Sequence, residues 1–299
     1  MNTTTNTALA PDQPELLAEL RVPPHVSWPA VTLMLVAYAM FISSWVLCLM
    51  GEMPFWLGMA INSVAAYLQF TPAHDSIHRA ASRYPWLNEL ILRAATFIAI
   101  PFGSGQILRL MHMRHHRFTN EENDPDHTLA SSLKLIPLWG FWPFLYVFQY
   151  FKDPSILPSL KVNEVRRELL IALVFIVGFT LWIPEAMFWL WWLPTYFGFF
   201  LMCLVFMVLP HYPHAVRESD NPWRASLMRL GHEWFLTPVL MYQNYHLMHH
   251  LYPTVPFYRY GKAWRARQQY HLENNPGIVP AFGLGAKDGA HGEKTQQAQ

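Results

Sequence analysis

From Ser27 to Met50 the chain runs for 24 residues without a formal charge, and no other feature limits its fold so strongly. At 1.5 Å per residue an α-helix of that length covers the roughly 30 Å of a bilayer's hydrocarbon core. The rest of the composition agrees. Charged residues make up 14% of the 299, where about 25% is usual for a soluble domain. Hydrophobic residues reach 53% and aromatics 15%, and they come in blocks rather than at core spacing. The class is therefore an integral membrane protein, and disorder over the whole length is excluded. A net charge of +1 leaves no surplus for a run of phosphates, so no nucleic-acid partner is expected. Two cysteines, Cys48 and Cys203, rule out a disulfide framework, a zinc ribbon and a cysteine-bound iron–sulfur cluster.

Four membrane spans are expected, at about residues 27–50, 54–72, 169–183 and 186–209, paired into two hairpins that turn at Gly51-Glu52-Met53 and at Pro184-Glu185. Two further apolar stretches, Leu87 to Leu108 and Leu133 to Phe151, are broken by charges, Pro and Gly, which lipid cannot satisfy. Both are placed at the interface. Charge asymmetry supports this count. The two hairpin turns contain two acids and no Lys or Arg, so all 21 Lys and Arg fall on the opposite side. The positive-inside rule makes that side cytoplasmic, with both termini and all fifteen His. The expected architecture is an all-α, four-helix membrane domain over residues 27–282 with a cytoplasmic helical cap. It is preceded by a polar tail at 1–26 and followed by a disordered tail at 283–299. A bacterial inner membrane suits this arrangement.

Histidine is the second anomaly. Three clusters stand out: His74 and His78; His112, His115 and His116; His246, His249 and His250. On a helix, positions i, i+3 and i+4 share a face, so each cluster can aim its imidazoles at one point. At this histidine frequency an H-x-x-H-H pattern is expected by chance roughly 0.04 times, and the chain has it twice. Eight imidazoles exceed what one ion can take, so two metals are implied. Neither the H-E-x-x-H of zinc proteases nor the Glu-x-x-His of soluble di-iron carboxylate proteins occurs. Two redox metals held by imidazole at the cytoplasmic ends of apolar helices suit oxygen chemistry on a lipid-dissolved hydrocarbon. Asp75, Asp124 and Asp126 can accept hydrogen bonds from the ligands' free N–H groups. Isolated histidines such as His25, His232, His271 and His291 read as interfacial or hydrogen-bonded residues. A metal-uptake or proton-conducting membrane protein would also use histidine, but near the bilayer midplane rather than beyond the span ends.

The three clusters resemble the histidine boxes of the membrane fatty-acid desaturase and hydroxylase superfamily. The segments Asn123-Asp-Pro-Asp-His127, Leu209-Pro-His211 and Gln243 to Tyr258 are similar to the branch of carotenoid hydroxylases and ketolases. The resemblance covers roughly residues 60–265. It implies a four-span di-iron enzyme using dioxygen as co-substrate, with the eight box histidines as iron ligands. A ninth ligand is implied after the last span, where His211 is the better match and His214 the alternative. Asn244, before the third box, is a further candidate, able to hold a water or orient a ligand. The implied reaction removes hydrogen from a lipid C–H bond to give a double bond or a hydroxyl. The alternative substrate is a carotenoid ring. No flavin, dinucleotide or haem motif is present, so electrons must come from a separate ferredoxin-like or cytochrome-like donor. Its docking surface is expected at Arg259, Lys262, Arg265 and Arg267, unless those charges face the membrane surface.

Overall fold

The computed structural model describes residues 11–100, 103–152 and 159–285. It is mostly helical. Ser27 accepts the Ala30 N–H and caps α2 (Trp28–Leu49), with Pro29 in the first turn. Gly51, at φ +80°, makes the reversal that a side chain would resist, and α3 (Phe55–Ile77) returns antiparallel. α2 and Pro184–His211 are both long and apolar enough to cross a membrane. α2 and α8 (Ser159–Trp182) expose Leu35, Val36, Ile42, Leu170, Leu173 and Val174 along their outer faces. An apolar surface of that extent calls for a lipid neighbour.

Between them lie α4 (Pro85–Ala99) and α5 (Gly105–Phe118). The stretch expected at the interface is thus two helices, neither long enough alone to cross; Pro101, one of its expected breaks, lies outside the described residues. α4 buries Leu92, Ala95 and Ala99 in the main core. After the single turn of α6 (His127–Ala130), the second interfacial stretch is a 3₁₀ segment, Leu133–Phe141, followed by α7 (Trp142–Lys152). The last long helix, α9 (Pro184–His211), starts at the expected Pro184 turn and contains two wide π segments, Phe188–Trp192 and Cys203–Val208.

Polar clamps join the long helices. Asn62 on α3 accepts from Ser44 on α2 (2.5 Å) and donates to the Leu190 carbonyl on α9 (2.9 Å). Such bonds hold helices together where the surroundings offer no hydrophobic drive. Arg93 on α4 pairs with Glu89, Glu164 and Glu168, tying α4 to α8.

Two expectations need correction. The fold is not all-α: β1 (Leu227–Leu230) and β2 (Gly277–Pro280) form a two-stranded parallel sheet, a pairing across some fifty residues that no local pattern announces. Nor is 1–26 only a tail, because α1 (Pro14–Leu20) buries Leu17 and Leu20 against the Tyr260–Ala266 helix. Residues 1–10 and 286–299, which include most of the expected C-terminal tail, lie outside the described residues.

A close contact between α3 and α9 gives a test. A Cβ on Gly198 of α9 would stand 2.7 Å from the Ala66 Cβ on α3, whereas one on Gly178 of α8 meets nothing within 4 Å. Overpacking a tight core contact costs about 1–3 kcal/mol. Gly198→Leu is expected to lower the thermal midpoint of the detergent-solubilised protein by several degrees, and Gly178→Leu to leave it unchanged.

Candidate metal centre

Four segments deliver the histidines. α3 carries the first box on its last turn, with His74 inside the helix and His78 at its C-cap. α5 presents His112, His115 and His116. His211 ends α9. The short helix His246–Leu251 carries the third box. His74, His112, His115, His211, His246 and His249 are all buried, as are the more marginal His78 and His250.

The nitrogens gather into two groups of four. His74, His78, His112 and His249 form one, and His115, His211, His246 and His250 form the other, each with its donor atoms within 4.8 Å of one another. His116 stands between them. Its Nε2 is 3.1 Å from that of His112 and 2.7 Å from that of His249, while its ring stacks at 4.3 Å on His250 of the other group.

Outward hydrogen bonds fix which nitrogen points inward. His115 Nδ1 meets Asp124 (2.9 Å), His211 Nδ1 the Ala225 carbonyl (3.1 Å), His246 Nδ1 the Gln243 amide oxygen (2.6 Å), and His249 Nδ1 the Tyr260 hydroxyl (3.0 Å). The carboxylate and the two carbonyl oxygens can only accept, so His115, His211 and His246 hold a proton on Nδ1 and neutral His211 and His246 offer a bare lone pair at Nε2, while the Tyr260 hydroxyl orients His249. Yet His246 Nε2 lies 3.0 Å from His211 Nε2 and 3.1 Å from His250 Nε2. Two lone pairs at that distance repel unless a cation lies between them. Adjacent ligands around a metal at roughly 2.1 Å are about 3 Å apart. Both ring nitrogens of His74, Nε2 of His78 and Nδ1 of His250 are buried without a hydrogen-bond partner. Donor type, spacing and these orphaned atoms all fit a transition metal in each group.

The electrostatics agree. Burial first, and crowding by neighbouring imidazoles second, holds His74, His112, His116, His246, His249 and His250 well below the usual histidine range. Burial likewise takes His78 down to about 3. Their lone pairs are free of protons at neutral pH. His115 goes the other way. Burial opposes its charge, but the charge and hydrogen bond of Asp124, with Asp126 and Glu218 behind, raise it to about 9. A metal replacing that proton would find in His115 the most basic donor of the set.

The other expected residues divide. Asp126 accepts from Tyr146 (2.5 Å) and stands 3.5 Å from His115 Nδ1. Asp75 touches no imidazole; its carboxylate accepts the Phe257 N–H at 3.2–3.3 Å, joining the first box to the chain beyond the third. Of the two alternatives after the last span, His211 enters a group, whereas His214 packs 5.7 Å behind it and equally far from His127. Asn244 donates to Thr237 (3.2 Å) and keeps its Oδ1 buried and unpartnered. Gln243, Tyr260 and the Ala225 carbonyl were not expected from the sequence. Only Gln243, three residues before His246, left a signal in helical spacing. His271, read as an interfacial or hydrogen-bonded residue, is hydrogen-bonded: it is fully buried between the Tyr252 hydroxyl and the Trp264 carbonyl.

Asp124→Asn keeps the shape but removes the charge behind His115. Loss of such a partner costs about 10- to 100-fold in metal affinity, so the variant is expected to retain less metal on dialysis against a graded chelator series, read by elemental analysis.

Comparison with known proteins bears on what such a centre serves. A model of the fatty acid desaturase family matches residues 43–279. An sn-1 acyl-lipid omega-3 desaturase (ferredoxin) of Nostoc sp. is 25% identical over 267 residues, covering 78% of this chain and 70% of that protein. An sn-1 oleoyl-lipid 12-desaturase of Picosynechococcus sp. is 27% identical over 231 residues, 67% of this chain and 65% of that protein. The match therefore leaves about a third of each relative's length uncovered. With most of its own length inside the family match and both imidazole groups within it, the chain belongs to the fatty acid desaturase family and is an oxidoreductase of the desaturase type.

Proposed function

We propose that this protein is an oxygen-dependent membrane desaturase acting on the acyl chain of a lipid, with two iron ions held by nine histidines. The observation that carries the reading is the convergence of His74, His78, His112 and His249 on one point and His115, His211, His246 and His250 on another, with His116 between. An iron pair bound there would supply reductive activation of dioxygen and an oxidant for an unactivated C–H bond. The chain's own residues do the rest. Asp124, Gln243 and the Ala225 carbonyl hold three rings with the proton on Nδ1 and Nε2 turned inward, and Tyr260 orients a fourth. Phe70 and Phe206 cover His74 at ring distances of 6.0 and 5.5 Å, a dry apolar wall on the side facing the spans. Removing two hydrogens from adjacent carbons supplies two of the four electrons that dioxygen takes up. A separate donor supplies the other two, and the relative described as using ferredoxin favours a carrier of that kind.

The reading includes four spans at 27–50, 54–72, 169–183 and 186–209, one membrane domain over 27–282, and the centre and both termini on the cytoplasmic side. Charge asymmetry supports it, as does the position of every box at or beyond a span end. Both named relatives act on acyl lipids, which favours an acyl chain over a carotenoid ring.

Three tests follow from this reading. In a host that accumulates carotenoids, expression is expected to add a double bond to acyl chains and leave the pigments unchanged in mass spectra; hydroxylated or keto pigments would transfer the reading to carotenoids. His115→Ala and His249→Ala are expected to lose iron and product together, and full iron content in both would sink the ligand assignment. For topology, single cysteines at Glu52 and Lys262 are expected to react with an impermeant thiol reagent from opposite sides of sealed vesicles. Reaction from one side would refute the four-span arrangement.

A further inference from the structure

Outside the two imidazole groups, a connected set of polarisable rings begins on the helix Tyr260–Ala266. Tyr260 is buried and its hydroxyl lies 3.0 Å from Nδ1 of His249. Trp264, also buried, follows one turn later on the same helix, where residues four apart are neighbours. Its indole stacks on His271 at 5.3 Å and 15°. His271 in turn stands 5.8 Å from both Trp223 and Tyr270, which are 5.7 Å from each other and partly exposed. The His271 ring is fixed on both sides, its Nδ1 3.1 Å from the Trp264 carbonyl and its Nε2 3.0 Å from the Tyr252 hydroxyl. Burial first, against a smaller opposing effect of the Trp264 carbonyl, takes it down to about 4, so it remains a neutral ring at working pH.

Two cations lie over rings of this set, and two more are exposed on the helix where it begins. Arg267 lies over the Tyr270 ring at 4.0 Å, Arg21 over Tyr252 at 5.7 Å, and Lys262 and Arg265 are exposed on the same helix as Tyr260. Arg267 is paired with Asp12, whereas Arg21, Lys262 and Arg265 are exposed. A core needed only for packing would not have to join a candidate metal ligand to a basic, aromatic patch of surface.

We propose that this face is the electron entry port: an acidic one-electron carrier docks against Lys262 and Arg265, and its electron reaches His249 through Trp223 or Tyr270, His271, Trp264 and Tyr260. The inference rests on the desaturase reading. Each encounter oxidises one reduced carrier by one electron. Two encounters supply two electrons per dioxygen, two more leave the substrate with its two hydrogens, and two protons from solvent complete two waters.

The test uses the iron-loaded full chain in lipid nanodiscs and a reduced plant-type [2Fe–2S] ferredoxin as probe, with ferredoxin oxidation followed by stopped-flow absorbance. Trp264→Leu is expected to slow ferredoxin oxidation severalfold while iron content and reduction by dithionite stay at wild-type levels. Lys262→Glu combined with Arg265→Glu is expected to weaken ferredoxin binding roughly tenfold at low salt, with the difference shrinking as salt rises. Wild-type oxidation rates in an iron-replete Trp264→Leu enzyme would overturn the path, and unchanged affinity in the charge-reversed enzyme would overturn the docking face. Should Trp264→Leu lose iron, His271→Gln decides by the same two readouts. A wild-type enzyme that dithionite reduces and ferredoxin does not overturns the port and leaves the desaturase reading standing; a chain that takes up no iron overturns both.

Discussion

Bare imidazole lone pairs packed about 3 Å apart set the terms for everything around them. Such a cluster is unfavourable by itself, since each pair repels and each buried nitrogen has given up water. It persists because the scaffold is rigid where the histidines are attached. His74 rides on a 23-residue helix clamped by Asn62 and by Gln69, which donates to the Met34 carbonyl (3.1 Å). His211 ends a 28-residue helix. The long helices thus position two donors directly and give α5 and the third-box helix a wall to pack on.

The surrounding hydrogen bonds act less on strength than on direction. An imidazole can present either nitrogen, and a cluster in which one ring chose wrongly would place an N–H where a lone pair is needed. Three outward acceptors of different chemistry, a carboxylate, an amide oxygen and a backbone carbonyl, remove that choice for His115, His246 and His211. They also grade the donors. A carboxylate pulls harder on the Nδ1 proton than an amide does, so His115 and His246 offer lone pairs of different basicity within the same group.

Much of this is legible in the sequence, and for definite reasons. The boxes obey helical spacing, and spacing is local, so the residue numbers alone assign His112, His115 and His116 to one face. Asp124 sits nine residues from His115, near enough to be weighed as its partner. The hairpins declare themselves through uncharged runs bounded by Gly51 and Pro184. What escapes is non-local. Tyr260 reaches His249 from the next helix, β1 meets β2 across some fifty residues, and α1 docks on a helix more than two hundred residues away. A backbone carbonyl such as that of Ala225 carries no residue signature at all. Periodicity reports what a segment turns toward the interior, not which distant segment it finds there.

The third-box helix, six residues long, sends His249 to one group and His246 and His250 to the other, while α5 divides His112 and His115 in the same way. The same two helices thus carry two of the four histidines of the first group and three of the four of the second. A displacement of either shared helix would therefore disturb both groups at once, so the geometry of one cannot be altered independently of the other.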